Sequence, residues 1–307
     1  MKKKLEITSK TNSKLTVDVN KPLKDIRIRY NQLPAFFQEK LQKIYDKSEI
    51  EAIFYRLMFD SFEIEKSTVI SRFNKVFPKS LYDKLLESLE RLKTGEPVQY
   101  ITGITHFYNL ELQIVSGVFI PRPETEEMVK LLLNDISPES GVLDLCTGTG
   151  CIALAIAHNC PDTTITGIDI SEVAIETAQL NSKKLNLPVL FKQHNLFDLP
   201  STFYRHCFDI IVCNPPYVRC SEQTAMHKNV LNYEPYNAIF VSDDNPFVFY
   251  QEIAEKAPSI LSKNGIVWLE INENLAKETA KVFKSKFKSL DIFRDFKGKE
   301  RFIRVTL

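Results

Sequence analysis

The spacing of apolar residues changes character twice along the chain. From about Leu33 to Lys93 it is helical. Phe36, Phe37, Leu41 and Ile44 recur at three and four, as do Ile50, Ile53, Phe54, Leu57 and Met58, and later Leu81, Leu85, Leu86, Leu89 and Leu92. This predicts a small bundle of about four helices, one of them entered at Pro78-Lys79-Ser80, with no glycine anywhere between Met1 and Arg91. Thr94-Gly95-Glu96-Pro97 stops the pattern. From Val98 to Ile120 the residues alternate and are rich in aromatics, which predicts a β-hairpin with turns near Gly103, Asn109 and Ser116-Gly117. Pro121-Arg122-Pro123-Glu124-Thr125 is a rigid corner, and Glu124 to Glu127 open a helix with acids in its first turn.

Beyond residue 140 short apolar runs alternate with helical ones. Val142 to Leu145, Thr164 to Asp169, Val189 to Phe191 and Ile210 to Cys213 read as strands, with helices from Cys151 and Ser171 between the first three. That order predicts a mostly parallel, doubly wound sheet. Arg219 to Asn232 is polar and reads as a loop, followed by Tyr233-Glu234-Pro235 and the apolar Ala238 to Val241. Phe247 to Leu261 then reads as a helix, Gly265 to Ile271 as a strand and Leu275 to Phe287 as a helix. Two last strands follow within residues 289–307, around Lys297-Gly298-Lys299-Glu300-Arg301, and the lone Trp268 is a core residue. The expected organisation is a lysine-rich arm or loose hairpin at 1–30, a helical bundle at 31–93, a β-hairpin connector at 94–121 and an α/β domain at 122–307.

Candidate chemistry sits where the predicted parallel strands end, which is where open α/β sheets bind ligands. Cys146-Thr147-Gly148-Thr149-Gly150 between strand and helix is a nucleotide-type turn. It has no Gly-Lys-Ser/Thr for a P-loop, and it lacks the third glycine of a full dinucleotide fingerprint. Asp169, about twenty residues on, ends the next strand, where a carboxylate accepts from both ribose hydroxyls. Its alternative role is to cap the helix that starts at Ser171. Asn195 is a candidate partner for an adenine amine, with Leu196 against the adenine face, and His194 is given no role.

The apolar run Asp209 to Cys213 ends at Asn214-Pro215-Pro216-Tyr217. Neither proline has an N–H for a ladder, and each restricts the residue before it, so Asn214 and Tyr217 sit on a stiff loop. Such a corner suits a planar NH₂ group. Its two hydrogens go to the Asn214 side-chain oxygen and the Pro215 carbonyl, and its flat face lies on the Tyr217 ring. An amide nitrogen is a poor nucleophile because its lone pair is delocalised. Two fixed acceptors polarise and aim it without a strong base. The plain alternative is a structural Asn-Pro turn.

Composition narrows the picture only a little. A net charge of +1 demands neither nucleic acid nor an anionic membrane. The 6 cysteines, at 146, 151, 160, 207, 213 and 220, form no Cys-x-x-Cys pair and read as small buried residues of a reducing cytosol. Met1-Lys2-Lys3-Lys4 is followed by Leu5-Glu6-Ile7-Thr8, which is no signal core, and no window reaches the length and apolarity of a membrane span. The expectation is a cytoplasmic protein with no membrane partner and no direct nucleic-acid partner.

Taken together, GEPVQYITG with an aromatic behind it, FIPRPETE, LDLCTGTGCIALA, the acid of GIDIS, NPPYV, YEP with VSDD downstream, and GKERF resemble a known family. It is the class I S-adenosylmethionine-dependent methyltransferases and, within them, the release-factor glutamine methyltransferases, over about residues 33–307. NPPY alone is shared with DNA adenine methyltransferases; PRPET with YEP behind NPPY is far more specific. The resemblance implies a Rossmann-like class I methyltransferase sheet, mostly parallel with an antiparallel strand near the C-terminus, an N-terminal helical bundle and a connecting β-hairpin.

It also implies S-adenosylmethionine as cofactor, S-adenosylhomocysteine as product, and methylation of the glutamine amide in a Gly-Gly-Gln loop of a peptide release factor. Cys146 to Gly150 then hold the methionine part and ribose, Asp169 takes the ribose hydroxyls, and Leu196 lies by the adenine. Asn214 touches cofactor and substrate, and Pro215, Pro216 and Tyr217 complete the glutamine site. The bundle grips the release factor at a distance from the reacting loop. Two departures from the family are Cys146 where glycine is usual and Leu196 where a larger aromatic is frequent. The rival readings are a nucleobase amino-methyltransferase, disfavoured by near-neutral charge, and a catalytically silent binding fold, disfavoured by the intact motifs. A nicotinamide dehydrogenase is disfavoured by the incomplete glycine fingerprint.

Overall fold

A computed structural model describes residues 28–307, together with the backbone of the antiparallel pair β1 (Glu6–Ile7) and β2 (Leu15–Thr16). The remainder of the predicted arm lies outside the described residues. The chain divides into two compact units between Thr102 and Gly103.

In the first unit the helical stripes form α1 (Leu33–Leu41), α2 (Lys47–Phe62), α3 (Lys66–Ser71) and α4 (Lys79–Lys93). Leu33, Phe37, Leu41, Phe54, Leu57, Leu85 and Leu92 are wholly buried, so the period of the pattern does mark the inner faces. The side chain of Asp46 accepts from the Glu49 amide at 2.8 Å and starts α2. One expectation fails here. Val98–Thr102, read as the start of a hairpin, is a fifth helix, α5. The Pro97 carbonyl accepts from the Tyr100 and Ile101 amides, and the Arg91 guanidinium donates to the Tyr100 carbonyl at 3.3 Å. Local satisfaction of these backbone groups decides a run too short for its period to be distinctive.

The second unit opens with a true hairpin, β3 (Ile104–Phe107) and β4 (Leu110–Gln113), turning at Tyr108-Asn109, both at positive φ. Residues 114–120, expected to continue the hairpin, carry no strand. The Ile120 amide donates to the Glu234 carboxylate at 3.2 Å instead of to a ladder.

The centre of this unit is a 7-stranded sheet. Its strands are β5 (Gly141–Leu145), β6 (Thr164–Asp169), β7 (Val189–Gln193), β8 (Phe208–Cys213), β11 (Leu261–Glu270), β12 (Ser289–Arg294) and β13 (Glu300–Thr306), with the short parallel pair β9 (Val218–Arg219) and β10 (Phe240–Val241) apart from it. The order is β12-β13-β11-β8-β5-β6-β7, and β13 alone runs against the others. The expected mostly parallel sheet with a reversed strand near the C-terminus is therefore present. The helices α6 (Pro123–Leu132), α7 (Cys151–Asn159), α8 (Glu172–Leu185), α10 (Val248–Ile260) and α11 (Ala276–Phe283) cover it. Alternate residues of each strand face opposite layers: Val142, Ile210, Val212 and Trp268 join α6, α7 and α8, while Leu143, Ile211, Cys213 and Leu269 join α10 and α11.

The polar stretch after β9, expected to be a loop, contains a 3₁₀ helix at Cys220–Ala225 and α9 (Lys228–Tyr233). Glu222 accepts from the Arg219 amide and His227 from the Asn229 amide, so capping side chains compensate for the lack of an apolar stripe. The last helix stops at Phe283, short of the expected Phe287. Of the cysteines only Cys151 and Cys213 are buried, and Cys207 is exposed; all six are free thiols. Among the described residues no helix is long and apolar enough to cross a membrane.

Candidate active site

Strand order reverses beside β5: β6 and β7 lie on one side, β8 on the other. At such a switch the loops leaving adjacent strands part and open a crevice. Leu145 pairs with Cys213 across the two strands, so Cys146 and Asn214, the next residue of each, begin their loops side by side. A cavity of about 660 Å³ opens there, within the range of small-molecule sites.

The glycine turn is held from below. The Thr147 hydroxyl and the Ala153 amide both donate to Asp144 Oδ2, and the Thr147 amide donates to the Ile168 carbonyl at 2.9 Å. Cys146, the departure from the usual glycine, takes a left-handed φ of 57°, a strained conformation for a side-chain-bearing residue. The turn's two glycines do different work. At Gly150, φ is 79° and an added Cβ would stand 2.7 Å from Phe191 Cζ. At Gly148, φ is 56°, nothing lies within 4 Å of an added Cβ, and the residue lines the cavity. Gly150→Ala is expected to destabilise the fold by about 3 kcal/mol through strain and overpacking. Gly148→Ala should lose only about 1 kcal/mol of stability but weaken ligand binding. Urea midpoints and calorimetric affinity, measured on both variants, check the contrast.

Asp169, at the end of β6, accepts from the Gly148 amide at 2.9 Å and the Ser171 amide at 3.0 Å. Capping of α8 falls to the Ser171 hydroxyl, which accepts from the Ala174 amide. The carboxylate therefore ties the glycine turn to β6 while lining the cavity, and burial pushes its pKa up. Asn195 Oδ1 accepts from the Phe197 amide at 3.0 Å and starts a 3₁₀ turn at Leu196–Asp198. That turn brings Leu196 and Phe197 to the cavity wall, where Phe197 meets Phe249 edge-on at 5.2 Å between centroids. An aromatic surface thus stands beside Leu196 on the same wall.

At the Asn-Pro-Pro-Tyr corner both prolines are buried. Asn214 Nδ2 donates to Thr125 Oγ1 at 3.1 Å, and the Tyr217 hydroxyl donates to Glu270 Oε1 at 2.9 Å. Burial and the Glu270 charge hold the Tyr217 hydroxyl protonated, its pKa well above the ordinary value. Behind the cavity wall an ion pair joins two distant motifs. Arg122 of PRPET pairs with Glu234 of YEP, whose side chain is 1% exposed, and its guanidinium stacks on Phe119 at 4.7 Å from the ring centroid.

Of the residues singled out in the sequence, Cys146, Thr147, Gly148, Thr149, Asp169, Asn195, Leu196, Asn214 and Pro216 line this one cavity. Gly150, Pro215 and Tyr217 do not; Gly150 packs on Phe191, and the Tyr217 hydroxyl is turned to Glu270. Thr125, Phe197, Phe249 and Glu270 escaped sequence reasoning. The one available signal was Glu270 itself, a single acid in the apolar strand end Val267-Trp268-Leu269-Glu270-Ile271. For an occupant, the buried Thr149 Oγ1 has no hydrogen-bond partner among the described residues and lies on the cavity wall. An amphipathic ligand with a polar end at the turn and an aromatic end at Phe197 fits these surroundings.

Beneath the turn, burial pushes Asp144 up to about 7, against the hydrogen bonds from Thr147 and Ala153. The folded chain thus holds this proton more tightly than the unfolded chain. The associated stability is full below the ordinary carboxylate range and is lost as pH rises through about 7. Melting temperatures of the parent protein should fall between pH 5 and pH 8 on the order of several degrees more than those of Asp144→Asn. Parallel profiles would refute the assignment.

A family model described as a methyltransferase domain matches residues 136–299, and one described as the PrmC N-terminal domain matches residues 32–103. A protein of Flavobacterium psychrophilum named release factor glutamine methyltransferase is 37% identical over 282 residues, covering 88% of this chain and 96% of its own. Proteins of the same name from Bacteroides thetaiotaomicron and Streptococcus pneumoniae are 32% and 34% identical, covering 90% and 89% of this chain and 99% and 97% of their own. Similarity of this extent spans both units as well as the glycine turn, the strand-end acid and the Asn-Pro-Pro-Tyr corner, and the chain belongs to the release factor glutamine methyltransferase family.

Proposed function

We propose that the cavity binds S-adenosylmethionine and that the chain methylates the side-chain amide of the glutamine in the Gly-Gly-Gln loop of a peptide-chain release factor. The observation that carries this reading is the placement of Asn214 next to Cys146. The corner suited to an NH₂ group and the turn suited to a nucleotide-like cofactor open into one cavity. When bound, S-adenosylmethionine supplies an electrophilic methyl group on a sulfonium, and S-adenosylhomocysteine is the product.

The residues of the chain do the positioning. The turn from Cys146 to Thr149 holds the methionine and ribose end, with the Thr149 hydroxyl free to pair with a polar group there. Asp169 accepts from the ribose hydroxyls. Its two oxygens each use one lone pair on the Gly148 and Ser171 amides and keep the other. Leu196 and Phe197 hold the adenine. Asn214 Oδ1 and the Pro215 carbonyl take the two hydrogens of the substrate NH₂, drawing charge onto its nitrogen and fixing its direction. Pro216 and Tyr217 keep that corner rigid. No base is assigned, because the extra proton is acidic once the nitrogen carries the methyl and passes to water.

The helical unit, residues 31–93 with α5, is assigned to holding the release factor, so that binding energy gathered away from the loop supports the reaction. A release-factor substrate supports a cytoplasmic location. Family membership leaves the nucleobase reading without support. Purified protein, cofactor and release factor should give a one-methyl mass shift on a single glutamine-bearing tryptic peptide. An unshifted peptide, with cofactor binding verified, rejects the reading.

A further inference from the structure

A primary amide has two ends of nearly equal size, and rotating the Asn214 side chain by half a turn exchanges them. Only one orientation serves a substrate NH₂. With Oδ1 toward the substrate an acceptor meets a donor; with Nδ2 toward it, donor meets donor. Something in the protein must choose between them.

The choice is visible in a chain of three hydrogen bonds. Leu269 of β11 pairs with Cys213 of β8, so Glu270 stands level with Asn214 at the strand ends. Glu270 is 1% exposed and does not line the cavity. Thr125 Oγ1 donates to Glu270 Oε2 at 2.7 Å, and the Tyr217 hydroxyl donates to Oε1 at 2.9 Å. The Tyr250 hydroxyl donates to the Glu270 backbone carbonyl at 3.1 Å. With both oxygens engaged, the carboxylate cannot swing away. Burial pushes the Glu270 pKa above the ordinary carboxylate value, and the hydrogen bonds from Thr125 and Tyr217 and the Arg301 charge oppose that rise.

A carboxylate only accepts, so the single Thr125 hydrogen is committed to Glu270. The Thr125 oxygen then has only lone pairs to offer, and the Asn214 amide must turn its NH₂ to it, as it does at 3.1 Å. We propose, building on the methyl-transfer reading, that Thr125 and Glu270 are positioning residues. Their one-way chain of hydrogen bonds sets the Asn214 amide with its oxygen toward the substrate glutamine. Glu270 lies off the cavity, and Thr125, on its wall, acts through the Asn214 amide. Thr125 lies in the first turn of α6, so the PRPET corner acts on the reaction through this hydroxyl.

The test uses Thr125→Val, which keeps the shape and removes the hydroxyl, and Thr125→Ser, which restores it. Glu270→Met and the double variant complete a cycle. For methyl transfer to a release factor, Thr125→Val should lower kcat about 30-fold, with KM and cofactor Kd changed less than about 3-fold. Thr125→Ser should return to within about 3-fold of the parent. Glu270→Met should lose about as much as Thr125→Val, and the double variant no more than either, because the two act as one unit. Additive losses, a valine variant as fast as the parent, or a serine variant as slow as valine would overturn the proposal.

A second readout does not depend on turnover. In ¹⁵N–¹H spectra the Asn214 side-chain NH₂, assigned by its disappearance in Asn214→Asp, should exchange slowly in the parent and in Thr125→Ser, and quickly in Thr125→Val. Equal exchange in all three overturns the orientation claim. A parent protein that methylates nothing while its Asn214 amide is protected refutes the proposed function and leaves the hydrogen-bond chain standing.

Discussion

Asn214→Ala should abolish nearly all methyl transfer, lowering kcat by about 10³-fold, while the protein still binds cofactor and still melts cooperatively. The size of the loss follows from what the amide provides. In the proposed site its oxygen is one of two acceptors that draw electron density onto an unreactive nitrogen and set the direction of the lone pair. Losing a preorganised contact of this kind removes about 3–4 kcal/mol of transition-state stabilisation. Truncation exposes no core, because the side chain is only half-buried and, among the described residues, its one hydrogen-bond partner is the Thr125 hydroxyl. Single-turnover rates with saturating cofactor separate this from a binding defect. A loss confined to KM, with kcat intact, would mean that Asn214 merely helps to hold the substrate.

Asp169→Ala should act on the other partner and raise the cofactor Kd by roughly 100-fold. Two effects add. On the proposed binding mode the ribose hydroxyls lose a charged acceptor, and the Gly148 amide loses the carboxylate that ties the turn to β6. Asp169→Asn separates them, since the amide keeps an acceptor but carries no charge, and it should lie between the parent and alanine. Titration calorimetry with S-adenosylmethionine and with S-adenosylhomocysteine measures both variants. Equal weakening toward the two ligands is expected, because they share the ribose. An unchanged affinity for either would remove Asp169 from the site.

Much of this protein was legible residue by residue. Strands β5, β6, β7 and β8 announce themselves as short apolar runs, the turn after β5 by its glycines, and the corner after β8 by two prolines. Each of these is decided by groups a few residues apart. Local backbone chemistry therefore places Cys146 to Gly150, Asp169 and Asn214 at strand ends before any contact between strands is known. The helical stripes from Phe37 to Leu92 are legible for the same reason.

The misreadings also have physical causes. Val98–Thr102 and Lys228–Tyr233 became helices because particular side chains and carbonyls satisfied their backbone groups, not because of any apolar period. Residues 114–120 left the hairpin because Glu234, 114 positions from Ile120, took its amide. Local residue patterns encode most of the elements, the parallel sheet and the small set of chemically capable side chains. That β8 lies between β5 and β11 emerges only in the folded chain, and it brings Asn214 next to the glycine turn and Thr125 next to Glu270, 145 positions away. Pairing between distant strands depends on how whole faces bury against α6, α7, α10 and α11, and no short stretch of residues encodes that choice.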